Sequence, residues 1–205
     1  MNEKPILFNG AMVRAILNDN KTQTRRVIKP QPDILPGSDC VDGNWYEQNK
    51  YGDSISILDR CPYGKDGEQL WVRETWATDG VGQNGDMDFI SPSSLPPNAE
   101  IHFRASIARD DKWRVAKWRP SIHMPRKLSR IQLLVKSVKV EQIQDITRED
   151  AIAEGTRKLY RCPQWIGNEP LDSFNELWES INKKRGFGWE MNPWVSVVGF
   201  ERIDS

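Results

Sequence analysis

The chain has 205 residues, the length of one domain with room for a buried core. Its 29 Lys and Arg balance 29 Asp and Glu, which excludes a histone-like polycation or an acidic tail protein but not a locally basic groove. With 38% hydrophobic residues, 28% charged residues and no long apolar run, a membrane span is excluded. The first residues, Met-Asn-Glu-Lys-Pro-Ile-Leu-Phe, lack the apolar stretch of a signal peptide, so a cytoplasmic protein is expected.

In chain order, residues 5–8 read as a short strand, and Asn9 then caps a helix with Met12, Val13, Ile16 and Leu17 on one face. Asp19-Asn20 is a left-handed stop, and residues 21–28 enter a strand that ends before Pro30. Residues 30–66 are rich in Pro, Gly, Asp and Asn and read as a surface insertion. Residues 69–75 form a strand with Leu70 and Val72 on one face and Trp71 and Arg73 on the other. A loop follows at 77–98, then a short strand at 101–104.

The longest β signal is 129–143. Its apolar alternation breaks between Val135 and Val138, which predicts a bulge at Lys136-Ser137. Residues 146–154 read as a helix capped by Thr147 and ended by Gly155. Leu171, Phe174, Leu177, Trp178 and Ile181 define a second amphipathic helix, and 194–203 a closing strand. The expectation is an α+β domain over residues 1–205, a small β-barrel with flanking short helices and insertions at about 30–66, 77–128 and 157–192.

Cys40, Cys61 and Cys162 form no C-x-x-C pair, and His102 and His123 are the only histidines, so neither metal nor cofactor is expected. The neutral total hides polarity. Residues 104–130 hold nine Lys and Arg against two Asp, a local +7. Within it, Lys112-Trp113-Arg114 and Lys117-Trp118-Arg119, followed by Arg126, interleave cations for phosphates with flat rings for unstacked bases. A charged loop pinned to the core by its two tryptophans accounts for the pattern equally well.

At Lys21-Thr22-Gln23-Thr24-Arg25-Arg26, directly after a helix ending in Ile-Leu-Asn-Asp-Asn, the chain resembles the ASCH family. Gly67-Glu68-Gln69-Leu70-Trp71-Val72 is similar to that family's Gly-Asp-x-Leu-x-Val strand, with Glu68 in place of Asp. The long strand, the small helix after it and the closing strand follow in the family's order. These pieces cover about half of the chain. Over its whole length, through Trp118-Arg119-Pro120-Ser121-Ile122-His123 and Gly188-Trp189-Glu190, it resembles the larger ASCH-type proteins of bacteriophages and prophages. The resemblance implies a PUA-like β-barrel and an association with RNA.

One bacterial branch of the family hydrolyses the acetyl amide of N4-acetylcytidine with Lys, Thr and Glu. By that resemblance Lys21, Thr24 and Glu154 take these roles as base, nucleophile and proton carrier. The chemistry is sufficient without a metal, provided Lys21 is buried enough to lose its proton and the chain turns between Lys21 and Thr24. Arg25, Arg26, Arg73, Glu74, Trp76 and His123 are candidates for contacts to the substrate, with Glu74 alternatively a buried partner for an arginine such as Arg26. The expected partner is a modified nucleoside or RNA, with no membrane; the oligomeric state is open. A non-catalytic RNA or single-strand binder and an RNA-cleaving enzyme are the alternatives.

Overall fold

Along residues 194–203 apolar side chains fall on both faces, so this strand has to be covered from both sides. The computed structural model, which describes residues 3–32, 45–48, 54–78, 100–107, 118–156 and 169–203, shows how. The elements are β1 (Glu3–Leu7), α1 (Gly10–Leu17), β2 (Gln23–Val27), β3 (Tyr46–Gln48), β4 (Ser54–Ser56), β5 (Gln69–Arg73), β6 (Trp76–Thr78), β7 (Ile101–Phe103), β8 (Gln132–Gln142), α2 (Arg148–Ala153), α3 (Glu169–Asn182) and β9 (Trp194–Ile203). Five strands form a sheet in the order β1-β5-β8-β9-β2, and β3-β4 and β6-β7 are separate pairs. Within the sheet only β1 and β5 run parallel.

On β9, Val198 and Phe200 join Ile6, Val13, Ile16, Leu70 and Leu133 in a core that α1 closes. Val195 and Val197 face the other way, against Ala151 of α2 and Phe174 and Trp178 of α3. The helix signals act where the sequence puts them. The Asn9 side chain accepts from the Met12 amide, and Asp19 takes a left-handed φ of 54° at the end of α1. Thr147 and Asp150 cap α2 reciprocally. The register of β8 against β9 slips between Val135 and Ser137, leaving Lys136 as the extra residue of a bulge. Opposite it is Gly199, where a Cβ would lie 2.5 Å from Ser137 Oγ and make that hydroxyl rotate away.

The expected barrel is corrected in one respect. The domain is α+β around a sheet, but the sheet is not closed: among the described residues no backbone pairing joins β1 to β2. The two edge strands meet through a side chain instead. Arg26 Nη2 donates to the Leu7 carbonyl at 2.7 Å, with its guanidinium beside the rings of Phe8 and Tyr63. The Arg26 guanidinium, with the Phe8 and Tyr63 rings beside it, thus stands at this seam where a ladder would close the sheet.

The stretches read as insertions also contribute structure. Ile57 is fully buried with Ile28 and Val140, and Trp45 stands edge-on to Trp194 at 5.1 Å. The β6-β7 pair lies in the second stretch and α3 in the third. Among the described residues no helix is long and apolar enough to cross a membrane.

Candidate functional site

The end of α1, the start of β2 and the end of α2 converge on one point. The Asn20 and Lys21 amides both donate to the Ala15 carbonyl, so the chain turns tightly out of α1. Lys21 then forms an isolated antiparallel bridge with Glu154, and the Thr22 amide donates to the Ala153 carbonyl at 2.8 Å. This close approach depends on Gly155. Its φ is +86°, and a Cβ there would sit 2.9 Å from Ala15 Cβ and 3.1 Å from Lys21 Cβ.

Two residues 133 positions apart are thereby paired inside the protein. Lys21 Nζ donates to Glu154 Oε2 at 2.7 Å and to the Glu154 carbonyl at 2.9 Å, with Lys21 2% and Glu154 5% exposed. The other carboxylate oxygen of Glu154 faces Arg25 Nη1 at 3.2 Å. Arg25 also meets Glu141 at 2.7 Å and Asp150 at 3.0 Å. The cluster is therefore close to charge-balanced, as a buried ionic group must be.

Burial pushes the Lys21 ammonium below its ordinary value; Glu154 pulls it back up, and Arg26 and Arg25 add to the fall. Burial works to raise the Asp150 carboxyl, but the Gln23 hydrogen bond and the charges of Arg25 and Lys139 outweigh it and leave Asp150 below its usual range.

Thr24 pairs with Val198 in β2-β9, so its side chain takes the Phe8 and α1 side of the sheet, while Arg25, opposite Val197, takes the side of α2 and α3. Lys21 Nζ lies 5.7 Å from the centre of the Phe8 ring, and Arg26, on the Thr24 side of β2, is 5.4 Å from the same ring. Lys21 Nζ thus comes within reach of the Phe8 ring that Arg26 also faces, while Thr22 stays beside β9, its carbonyl accepting from the Phe200 amide at 2.7 Å. Thr24 is buried, and its hydroxyl makes no hydrogen bond among the described residues.

Beside the unpaired edge of β2 is a cavity of about 700 Å³. Thr24, Arg25, Arg26 and Glu154 line it, with Phe8 on one wall and Phe174 and Trp178 on the other. Lys21 is behind this lining and reaches it through Glu154. Asn182, 8% exposed, also lines the cavity, and its carboxamide has no hydrogen bond among the described residues.

The other candidates are placed differently. Arg25 is committed to three carboxylates. Glu74 is buried and off the cavity, held by two hydrogen bonds from Arg130 (2.8 and 3.1 Å) rather than by Arg26. Trp76 is core, not a cavity rim: all three residues of β6 are buried, and Arg119 stacks on the Trp76 ring at 4.7 Å. Arg73 is spent on the carbonyls of Met124 and Ile122, and His123 is exposed away from the cavity lining.

Of the basic tryptophan stretch, Lys112, Trp113, Arg114 and Lys117 lie outside the described residues. Trp118 is half-buried under Arg104, and Arg126 is held by Glu3. Arg119, expected at the surface, is buried, because its backbone bridges to Trp76 and carries the side chain inward. Cys61 is a buried free thiol; Cys40 and Cys162 lie outside the described residues.

Sequence reasoning missed Glu141, Asp150, Asn182, Phe8 and Tyr63 at this site. Only Asp150 carried a local signal, its place in the Thr147 capping box, and that signal speaks of helix capping alone.

No protein-family model matches the chain, and no curated protein matches it. Among solved structures it is similar to the crystal structure of an ASCH domain from Lactobacillus crispatus JV V101. The identity is 8% and the TM-score 0.39, over 98% of this chain and 79% of that one.

Proposed function

We propose that this chain is an ASCH-type protein whose cavity takes a modified cytidine and hydrolyses its N4-acyl amide. The observation that carries the reading is the buried Lys21–Glu154 contact at 2.7 Å, beside a Thr24 hydroxyl that lines the cavity. These are the three residues that the motif resemblance assigns to the reaction. A cavity of about 700 Å³ with aromatic walls and several charged and polar side chains suits a nucleoside-sized ligand.

In this scheme Lys21 acts as the neutral amine and takes the Thr24 hydroxyl proton by way of the Glu154 carboxylate it is hydrogen-bonded to, as Thr24 Oγ1 attacks the acyl carbon. The carbon–nitrogen bond breaks, and the cytosine amino nitrogen leaves with a proton delivered through Glu154. Water then cleaves the threonine ester, releasing acetate and restoring the hydroxyl. Burial favours the neutral lysine this requires, and Glu154 at hydrogen-bond distance receives and returns its proton. Arg26 Nε, buried on the Thr24 side and without an acceptor, is a donor for the developing oxyanion.

The test is conversion of N4-acetylcytidine to cytidine, followed by chromatography, for the wild type, Thr24→Val and Lys21→Met. The scheme expects conversion by the wild type and a loss of about 10²-fold or more in each variant. A folded wild-type protein that leaves the amide intact overturns it. Cut phosphodiester bonds in an RNA substrate, with no acetate released, identify an RNA-cleaving enzyme instead.

A further inference from the structure

The charge of the cavity lining is uneven. Its described residues include four cations, Arg25, Arg26, Lys29 and Arg185, and one carboxylate, Glu154, a net +3. Arg25 is cancelled from behind by Glu141 and Asp150. Arg26 is turned into the seam, with Nη2 on the Leu7 carbonyl. Lys29 and Arg185 are left: both are exposed, and neither has a carboxylate within ion-pair distance among the described residues.

The fold brings these two to one cavity lining from opposite ends of the sequence. Lys29 follows β2. Arg185 closes the turn after α3, where Gly186 takes φ 82° and the Phe187 amide donates to the Asn182 carbonyl at 3.1 Å. That turn lays the Phe187 ring under Lys29, with Nζ 4.8 Å from the ring centre, and sets Arg185 on the same lining. The cavity therefore grades from an interior of Thr24, Glu154 and Asn182 between aromatic walls to a rim of unneutralised cations. Two cations on one lining without an acid to neutralise them make its potential positive, and an anion at the rim is attracted by both.

We infer that Lys29 and Arg185 bind a phosphate of the substrate, so that the cavity takes a cytidine nucleotide in preference to the free nucleoside. The inference rests on the proposed function for the base in the interior. The phosphate belongs to a monophosphate, mainly a dianion near neutral pH, or to an RNA chain, a monoanion at each linkage; both present anionic oxygens to a lysine and an arginine.

Binding of cytidine, cytidine 5′-monophosphate and a short oligoribonucleotide with one central cytidine, followed by tryptophan fluorescence at low salt, tests this on the full chain. The monophosphate is expected to bind about tenfold more tightly than cytidine, as two partly exposed charge contacts supply. In the double variant Lys29→Ala, Arg185→Ala that advantage disappears, and in the wild type it shrinks as salt is raised. Tighter binding of the oligoribonucleotide than of the monophosphate assigns the site to chain phosphates; the reverse assigns it to the mononucleotide. Equal affinity for cytidine and its monophosphate, or an advantage that survives in the double variant, overturns the inference. Conversion of N4-acetylcytidine without a phosphate preference leaves the hydrolase standing and removes the phosphate site. A phosphate preference lost in the double variant, without conversion, does the opposite. A chain that neither binds nor converts removes both.

Discussion

Replacing Glu154 by Gln removes the one carboxylate that Lys21 touches among the described residues. The backbone carbonyl of residue 154 still accepts from Lys21 Nζ, so a hydrogen bond survives while the charge pairing does not. Arg25 keeps Glu141 and Asp150 and is not stranded. A fully buried ammonium without its partner costs about 3–5 kcal/mol. Lys21→Met is the milder change. It leaves Glu154 with Arg25 at 3.2 Å and refills most of the lysine stem, for a cost of about 1–2 kcal/mol. The double variant strands no ammonium, so it should be about 1–3 kcal/mol more stable than Glu154→Gln alone, the coupling expected of contacting residues.

Urea unfolding at pH 7, followed through the nine tryptophans, measures all four proteins at a common slope. The pH dependence adds a second reading. Burial holds the folded Lys21 below its unfolded value of about 10.4, so between the two the unfolded chain binds more protons. This contribution is complete above the unfolded value and is lost as pH falls through the folded one. Losing Glu154 lowers the folded value further, so the rise of stability with pH should begin at a lower pH in Glu154→Gln than in the wild type. If Lys21→Met costs as much as Glu154→Gln and the two effects simply add, the two groups do not form a working ion pair and the reasoning fails.

Three further outcomes are expected. Arg130→Met leaves the buried Glu74 carboxylate unpaired and should lower stability by about 3 kcal/mol in urea unfolding, with Arg130→Lys recovering only part because an ammonium cannot make the two-pronged contact. Gly155→Ala forces a left-handed alanine, about 1–2 kcal/mol, into contact with Ala15 and Lys21; it should lower the melting temperature and slow N4-acetylcytidine conversion together. Lys136→Ala removes an exposed pair with Glu201 on the bulge and should shift stability by no more than about 0.5 kcal/mol.

The sequence by itself determined what short-range physics controls. The Asn9 cap, the left-handed Asp19, the Thr147 cap and the Gly155 stop each depend on a few neighbouring dihedrals and one local hydrogen bond. The broken alternation at Lys136 placed the bulge, because in a strand a single extra residue reverses every side chain after it. Leu171, Phe174, Leu177, Trp178 and Ile181 fall within the observed α3.

The strands β3, β4 and β6 were not expected, because they lie in or at the edge of stretches whose Pro, Gly, Asp and Asn content reads as loop. For the site, the motif named Lys21, Thr24 and Glu154 but left their environment unspecified. That Arg25 would be spent on three carboxylates, that Glu74 would meet Arg130 rather than Arg26, and that Arg119 would be buried against Trp76 depended on which strands lie side by side. The open seam is of the same kind. At the seam between β1 and β2, the Phe8, Arg26 and Tyr63 side chains arrive from three separate parts of the chain. Burial, charge pairing and strand closure are properties of contacts distant in sequence, so only the tertiary structure decides them.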